Sequence, residues 1–290
     1  MTVYRTESVP VDGGDLAVGV WGDAGPLVVA VHGITSHHLA WGLIAPAVAT
    51  DHRFVAPDLR GRGHSRDLPA PYGMARHAAD LAAVIRAFGG PAVVVGHSMG
   101  SWAAIELARA EPALVERLVL VDGGPPLTPP PGVPADPTPE QVTELITKTV
   151  GQAYARLSMT FPDRSAYLDL WRAHPSLAEW NDAMTAYAEY DLIDDGGALR
   201  PACRLEAALG DARDLYAWRP AGPDPLPVPA VFLRAERGMF DQPEPMFAPG
   251  AAGRAFPGIV ERDVPGSNHY TITLGPKGAA EVATAVRSAG

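Results

Sequence analysis

The sequence contains a single cysteine, Cys203, among its 290 residues. A lone cysteine excludes a disulfide within the chain, and this fits a reducing compartment. We expect Cys203 to be a small buried side chain without a catalytic role.

Basic residues are also scarce. The chain has 23 Lys and Arg against 33 Asp and Glu, and its formal net charge is -10. Proteins bind nucleic acids and anionic membrane surfaces through clusters of basic residues, and this sequence contains no such cluster. We therefore expect no nucleic-acid partner.

Long hydrophobic runs are missing as well. The sequence has no stretch of about 18 apolar residues, so no membrane span is predicted. The first residues lack the pattern of a signal peptide. We expect a cytoplasmic protein, and the sequence leaves its oligomeric state open. Metal-binding and phosphate-binding motifs such as H-E-x-x-H and G-x-x-x-x-G-K are absent too, so no metal or cofactor is expected.

What the sequence does contain is a series of short apolar runs, which lie at 16–21, 27–33, 53–58, 92–96, 117–122, 230–235 and 259–264. Several are continuous rather than alternating, which is typical of parallel strands covered on both faces. Residues 73–88, 99–111 and 277–288 have helical patterns. The alternation predicts an α/β fold with a mostly parallel sheet flanked by helices.

The alternation stops at residue 123, where a proline-rich connector begins. Helical patterns follow at 138–157, 163–174, 176–193 and 202–215, without a convincing strand, and the first opens with a capping arrangement of Thr138 and Gln141. A helical block between two core strands predicts an inserted cap. We assign 1–125 and 225–290 to the core and 126–224 to a helical cap.

Residues 96–100 read GHSMG and lie between a predicted strand and a predicted helix. This G-x-S-x-G pattern in that context predicts a tight turn that exposes the hydroxyl of Ser98 as a nucleophile. The amide of Met99, at the helix start, would help to hold a developing oxyanion. A second amide is expected from Ile34, in the loop after residues 27–33.

A serine nucleophile needs a base, and His269 is the best placed of the nine histidines. It follows the last predicted strand and precedes the last helix, in the sequence VPGSNHYT. We expect His32 to be structural and His97 to point away from Ser98. Four others, His37, His38, His52 and His174, are expected to be solvated.

The order of HGIT, DLRGRGHS, GHSMG and GSNHYT resembles the α/β-hydrolase superfamily, and most closely its capped serine esterase and lipase-like members. The resemblance covers the core on both sides of the cap. It implies a Ser–acid–His triad in that order along the chain.

The acid departs from the common pattern of that superfamily. Most members carry it in a turn after the next-to-last strand, where this sequence places Gly238, with Glu236 two residues before and Asp241 three residues after. Some relatives, including haloalkane dehalogenases, take it from the strand before the cap, which here ends at Asp122. We favour Asp122 and keep Asp241 and Glu236 as alternatives.

Nine aromatic side chains lie in the predicted cap, and some of them should form an apolar pocket over Ser98. We therefore expect hydrolysis of hydrophobic carboxylic esters or lactones through an acyl-enzyme. The same triad could act on thioesters or carbon–carbon bonds, and a homologue that binds ligands without catalysis is a further alternative.

Overall fold

The computed structural model describes residues 3–127, 138, 140–141, 144, 154–218 and 224–288. Its centre is a sheet of eight strands in the order β1-β2-β4-β3-β5-β6-β9-β10. These strands are β1 (Tyr4–Val11), β2 (Gly14–Trp21), β3 (Leu27–Val31), β4 (Arg53–Pro57), β5 (Ala92–His97), β6 (Val115–Val121), β9 (Ala230–Ala235) and β10 (Val260–Val264).

The sheet is parallel from β4 to β10, and β2 is antiparallel to both of its neighbours. All seven predicted strands are confirmed. Strand β1 was not predicted, because most of its residues are exposed and it contains no apolar run. Its place at the edge of the sheet explains this composition.

Helices cover both faces of the sheet. The described α-helices are α1 (Ile44–Val48), α2 (Met74–Phe88), α3 (Met99–Ala110), α4 (Arg164–Arg172), α5 (Asp182–Asp191), α6 (Leu205–Ala217), α7 (Ala251–Ala255), α8 (Thr271–Leu274) and α9 (Pro276–Arg287). On one face, Val29 and Val94 pack in a cluster with Leu81 of α2 and Ile105 of α3. On the other face, Val28 and Val93 pack with residues of α1 and α9. Burial on both sides explains the continuous apolar runs.

The predicted absence of strands between β6 and β9 is wrong. Strands β7 (Leu192–Asp195) and β8 (Ala198–Pro201) form an antiparallel hairpin in this block. Gly196 and Gly197 connect them with φ of 68° and 88°, as a two-residue hairpin turn requires. The predicted helix at 176–193 is correspondingly shorter, and its last two residues begin β7.

The predicted capping arrangement at residue 138 is confirmed. The Thr138 amide donates to Gln141 Oε1 at 2.9 Å, and the Gln141 amide donates to Thr138 Oγ1 at 3.3 Å. This is the reciprocal bonding of a capping box. Much of the predicted helix at 138–157 and most of the proline-rich connector lie outside the described residues.

Within the described ranges, no helix combines the length and the apolar character that a membrane crossing requires. Cys203 is buried as predicted, and burial raises the pKa of its thiol to about 11.

Candidate active site

Ser98 lies between β5 and α3 with φ of 52° and ψ of -127°. A positive φ is uncommon for a residue with a side chain. The glycines on either side are sterically required, because a Cβ on Gly96 would lie 2.5 Å from the Gly100 carbonyl oxygen. A Cβ on Gly100 would lie 2.1 Å from the carbonyl oxygen of Val31. The turn therefore packs backbone against backbone and leaves the serine side chain half-exposed at the end of the strand.

His269 lies in the loop between β10 and α8, where its ring contacts both predicted partners. The Ser98 hydroxyl donates to Nε2 over 3.1 Å, and Nδ1–H donates to Asp122 Oδ2 over 2.7 Å. A carboxylate only accepts hydrogen bonds, so this contact fixes the tautomer with the proton on Nδ1. The structure thus brings together Ser98, His269 and Asp122.

Asp122 follows β6 in a second strained turn, with φ of 45°. Its side chain is fully buried, and its other oxygen accepts the amide of Ala235 at 3.2 Å. The next residue packs on the serine turn, since a Cβ on Gly123 would lie 2.3 Å from the Ser98 carbonyl oxygen. The end of β6 therefore fixes the carboxylate relative to the serine.

The two alternative acids do not contact the His269 ring. Asp241 Oδ1 accepts from Arg237 Nε at 2.9 Å and from Asn268 Nδ2 at 3.0 Å. Glu236 Oε2 accepts the Gly266 amide at 2.6 Å. Both carboxylates bond to residues of the loop that carries His269, and neither bonds to the imidazole ring.

Gly238 occupies the position where most members of the superfamily that the sequence resembles carry the acid. The structure leaves no space for a side chain at this position. A Cβ at this position would lie 2.0 Å from Gln242 Nε2 and 2.5 Å from the Glu244 carbonyl oxygen. Replacing the usual acid with glycine is therefore consistent with the local packing.

The two predicted oxyanion amides belong to segments that flank the serine. Met99 is the first residue of α3, and amides of the first helical turn have no partner within the helix. Ile34 follows Gly33, which lies beside the serine: a Cβ added to Gly33 would be 3.6 Å from Ser98 Oγ. Arg62 Nε donates to the Ile34 carbonyl at 2.9 Å and so restrains this loop.

His32 is structural, as the sequence predicts. Its Nδ1–H donates to the Gly33 carbonyl at 2.7 Å, and its Nε2 accepts the Leu59 amide at 3.0 Å. Burial lowers its pKa to about 3, so the ring is neutral.

The prediction that His37 and His38 are solvated is wrong, since both are buried. His37 Nε2–H donates to the Tyr187 carbonyl of α5 at 3.0 Å. His38 Nδ1–H donates to Asp58 at 2.7 Å, and Asp58 also accepts the Tyr190 hydroxyl at 2.6 Å. These histidines join the block between β6 and β9 to the sheet, and a single sequence carries no signal of that long-range contact.

Two residues near His269 have roles that the sequence analysis missed. Asn268 Oδ1 accepts the amides of Tyr270 and Thr271 at 3.0 and 2.9 Å, which orders the start of α8. An Asn just before a helix is a recognisable capping signal. His97 Nε2–H donates to the His269 carbonyl at 2.9 Å. Its ring lines the same cavity as Ser98 and bonds to the loop of the predicted base.

Two cavities meet at Ser98, and Ile34, Tyr154 and Met239 line both of them. The first also reaches His269, Tyr187 and Leu274, and the described residues that line it include no Lys, Arg, Asp or Glu. The second is mainly apolar and is lined by Trp102, Leu127, Ala212, Leu215, Tyr216, Met246 and Phe247, with Gln242 and Arg254 among the polar residues.

Several known proteins resemble this chain. Lipase LipV of Mycobacterium tuberculosis is 41% identical over 110 residues, which cover 37% of this chain and 41% of the lipase. The matched region is thus about two fifths of that relative's length. N-formylmaleamate deformylase of Pseudomonas putida is 32% identical over 223 residues, which cover 70% of this chain and 80% of the deformylase.

The fold is shared with solved structures. The crystal structure of E-2-(acetamidomethylene)succinate hydrolase superposes with a TM-score of 0.76, at 24% identity, over 98% of each chain. In addition, residues 28–284 match the sequence model of the alpha/beta hydrolase family. The chain belongs to the alpha/beta hydrolase family.

Proposed function

We propose that this hydrolase is a serine esterase that cleaves carboxylic esters or lactones of hydrophobic substrates. The observation that carries the proposal is the pair of hydrogen bonds on the His269 ring, at 3.1 Å to Ser98 Oγ and 2.7 Å to Asp122 Oδ2. A hydroxyl becomes a competent nucleophile when a neighbouring imidazole accepts its proton.

In this proposal Ser98 Oγ attacks the ester carbonyl and transfers its proton to His269 Nε2. Asp122 accepts the Nδ1–H bond throughout and stabilises the imidazolium. The imidazolium then protonates the leaving alcohol, which departs and leaves the acyl group on Ser98. Water attacks the acyl-enzyme with His269 as base, which releases the acid and restores the serine.

The amides of Ile34 and Met99 are the proposed oxyanion donors. They belong to two different segments, so an oxygen between them would accept two hydrogen bonds as its charge develops. Donors that are fixed before the reaction stabilise the transition state without reorganisation. The Arg62 contact to the Ile34 carbonyl restrains one of these segments.

The linings of the two cavities support a hydrophobic substrate. The lining of the second is dominated by Trp, Phe, Leu, Met and Ala side chains. Burial of an apolar acyl chain there would contribute about 0.8 kcal/mol for each methylene. We also propose that residues 126–224 act as a cap, since Tyr154 and Tyr187 of that block line the first cavity.

A second candidate is hydrolysis of an N-acyl bond. The relative named as a deformylase matches this chain over 80% of its own length, whereas the relative named as a lipase matches over 41%. The same triad could serve both reactions, because each begins with attack on an acyl carbon.

The test is hydrolysis of p-nitrophenyl esters from acetate to decanoate by the wild type and by Ser98→Ala. We expect kcat/KM to rise with chain length over the shorter members, and Ser98→Ala to lose at least about 10³-fold in kcat. Preference for a p-nitrophenyl hemisuccinate over the butyrate would contradict the hydrophobic assignment. An N-formyl amide cleaved faster than every ester would support the second candidate.

A further inference from the structure

His97 is a buried imidazole that directly precedes the proposed nucleophile in sequence. It ends β5, and its Nε2–H donates to the backbone carbonyl of His269 over 2.9 Å. Its ring centroid lies 4.9 Å from that of His269. One side chain on the serine turn therefore contacts the segment that carries the base.

The base itself lies in a loop, not in the rigid sheet. Residues 265–270 connect β10 to α8, so the backbone of His269 must be held by side chains. The Asp122 contact orients the ring, and Asn268 binds Asp241 and the amides that begin α8. Among these contacts, the hydrogen bond from His97 is the one that joins the end of β5, next to Ser98, to the backbone of His269.

We propose that His97 is a positioning residue, which sets the separation of Ser98 and His269 by holding the His269 carbonyl. The kinetic consequences of this proposal rest on the proposed function. The hydrogen bond from His97 to the His269 carbonyl does not depend on that function. Because His97 and Ser98 are adjacent on one strained turn, any movement of this turn carries both hydrogen-bonding groups with it.

The chemistry of His97 suits such a role. A carbonyl only accepts hydrogen bonds, so the proton must be on Nε2. Burial, and then the neighbouring His269, hold the pKa of His97 well below its usual range. A neutral ring keeps its donor without placing a positive charge beside an imidazole that becomes cationic during catalysis.

Loss of this donor should reduce turnover more than substrate binding. A displacement of about 1 Å in a catalytic constellation can reduce the rate about 10²-fold. His97 contributes to the lining of the first cavity but not to that of the larger, mainly apolar second cavity, so KM should change less than kcat. This separation of kcat from KM is the kinetic signature of a positioning residue.

The experiment compares His97→Leu, which removes the donor, with His97→Gln, which retains an N–H donor on the side chain. We expect kcat for p-nitrophenyl butyrate to fall by about 10- to 100-fold in His97→Leu, with KM within about twofold of wild type. His97→Gln should recover most of that loss. The matched control is Val282→Ala, a buried site in α9 that should lower the melting temperature without lowering kcat.

A spectroscopic readout separates this proposal from the proposed function. The Nδ1–H of His269, bonded to Asp122, should give a low-field proton resonance in the wild type and in His97→Gln. It should broaden or disappear in His97→Leu. This pattern supports the positioning role even if no ester is hydrolysed, in which case only the proposed function fails.

Three outcomes would overturn the positioning role. His97→Leu could keep both the wild-type kcat and the resonance. A folded His97→Gln could be as impaired as His97→Leu. Val282→Ala could lose the same kcat at the same melting temperature, which would make stability the cause.

Discussion

At the scale of single residues, the central feature is which carboxylate contacts the His269 ring. Asp122, at the end of β6, donates no proton but accepts one hydrogen bond from His269 and one from Ala235. Asp241 lies close by and holds Asn268 instead. The two carboxylates therefore have separable roles, one on the imidazole and one on its loop.

We predict that Asp122→Asn lowers kcat for p-nitrophenyl butyrate by about 10³- to 10⁴-fold, because an amide no longer fixes the imidazole tautomer or stabilises its cation. Asp241→Asn should lose less than about tenfold, since its partly exposed pair with Arg237 contributes little. A larger loss in Asp241→Asn than in Asp122→Asn would assign the acid to the segment after β9.

Sequence reasoning paired Ser98 with His269 because strand, turn and helix signals surround both, and the structure places the two side chains in contact. The acid could not be fixed in the same way, because three carboxylates lay within reach of plausible turns. What separates them in the structure is a long-range contact, because only Asp122 among the three accepts a hydrogen bond from the His269 ring. His97 was missed for a related reason, since its partner is 172 residues away in sequence, as was the contact of Asn268 with Asp241, 27 residues away; the capping role of Asn268 did carry a local signal.

At the scale of elements, the serine turn depends on close backbone contacts between β3, β5 and α3. Gly100 packs against the carbonyl of Val31, and the sheet cannot shift without disturbing its buried faces. The glycine pattern thus serves the packing of three elements as well as the conformation of the serine.

We predict that Gly100→Ala destabilises the protein by about 2–3 kcal/mol or prevents folding, because the methyl group would overlap a backbone oxygen. The matched control is Gly253→Ala in α7, where no atom lies within 4 Å of the new Cβ. That change should be neutral or stabilise by up to about 1 kcal/mol. Urea unfolding of both variants checks the difference, and equal stability would contradict the packing argument.

The strands that sequence patterns predicted include β3 and β5, which are buried along their whole length, and all of them contain an apolar run. The elements that escaped were β1 and the β7–β8 hairpin. Strand β1 is mostly exposed, and the two hairpin strands have only four residues each. Short strands without alternating apolar residues carry little information, and the Gly-Gly pair between them is a turn signal that the sequence analysis did not use.

At the scale of the whole molecule, buried histidines join separate parts of the chain. His32 binds the loops after β3 and β4, and His37 binds α5. Burial lowers the pKa of each to about 3. Both are therefore neutral in the folded protein at neutral pH.

We predict that the free energy of unfolding falls as the pH drops from about 6.5 towards 3. In this window the unfolded chain binds protons at histidines whose ordinary pKa is about 6.5, whereas the folded protein does not. Each such histidine lowers the free energy of unfolding by about 1.4 kcal/mol for each further unit of pH decrease, once the histidine is protonated in the unfolded chain. Urea midpoints between pH 7.5 and 4 measure the slope, and a midpoint independent of pH would contradict the buried neutral rings.

The most direct test of the nucleophile is labelling with a fluorophosphonate, followed by peptide mapping of the adduct. We expect one phosphonyl group on Ser98 in the wild type, slower labelling in Asp122→Asn, and none in a folded Ser98→Ala. A folded wild type that stays unlabelled, or an adduct that maps to another residue, would contradict a serine hydrolase built on Ser98, His269 and Asp122.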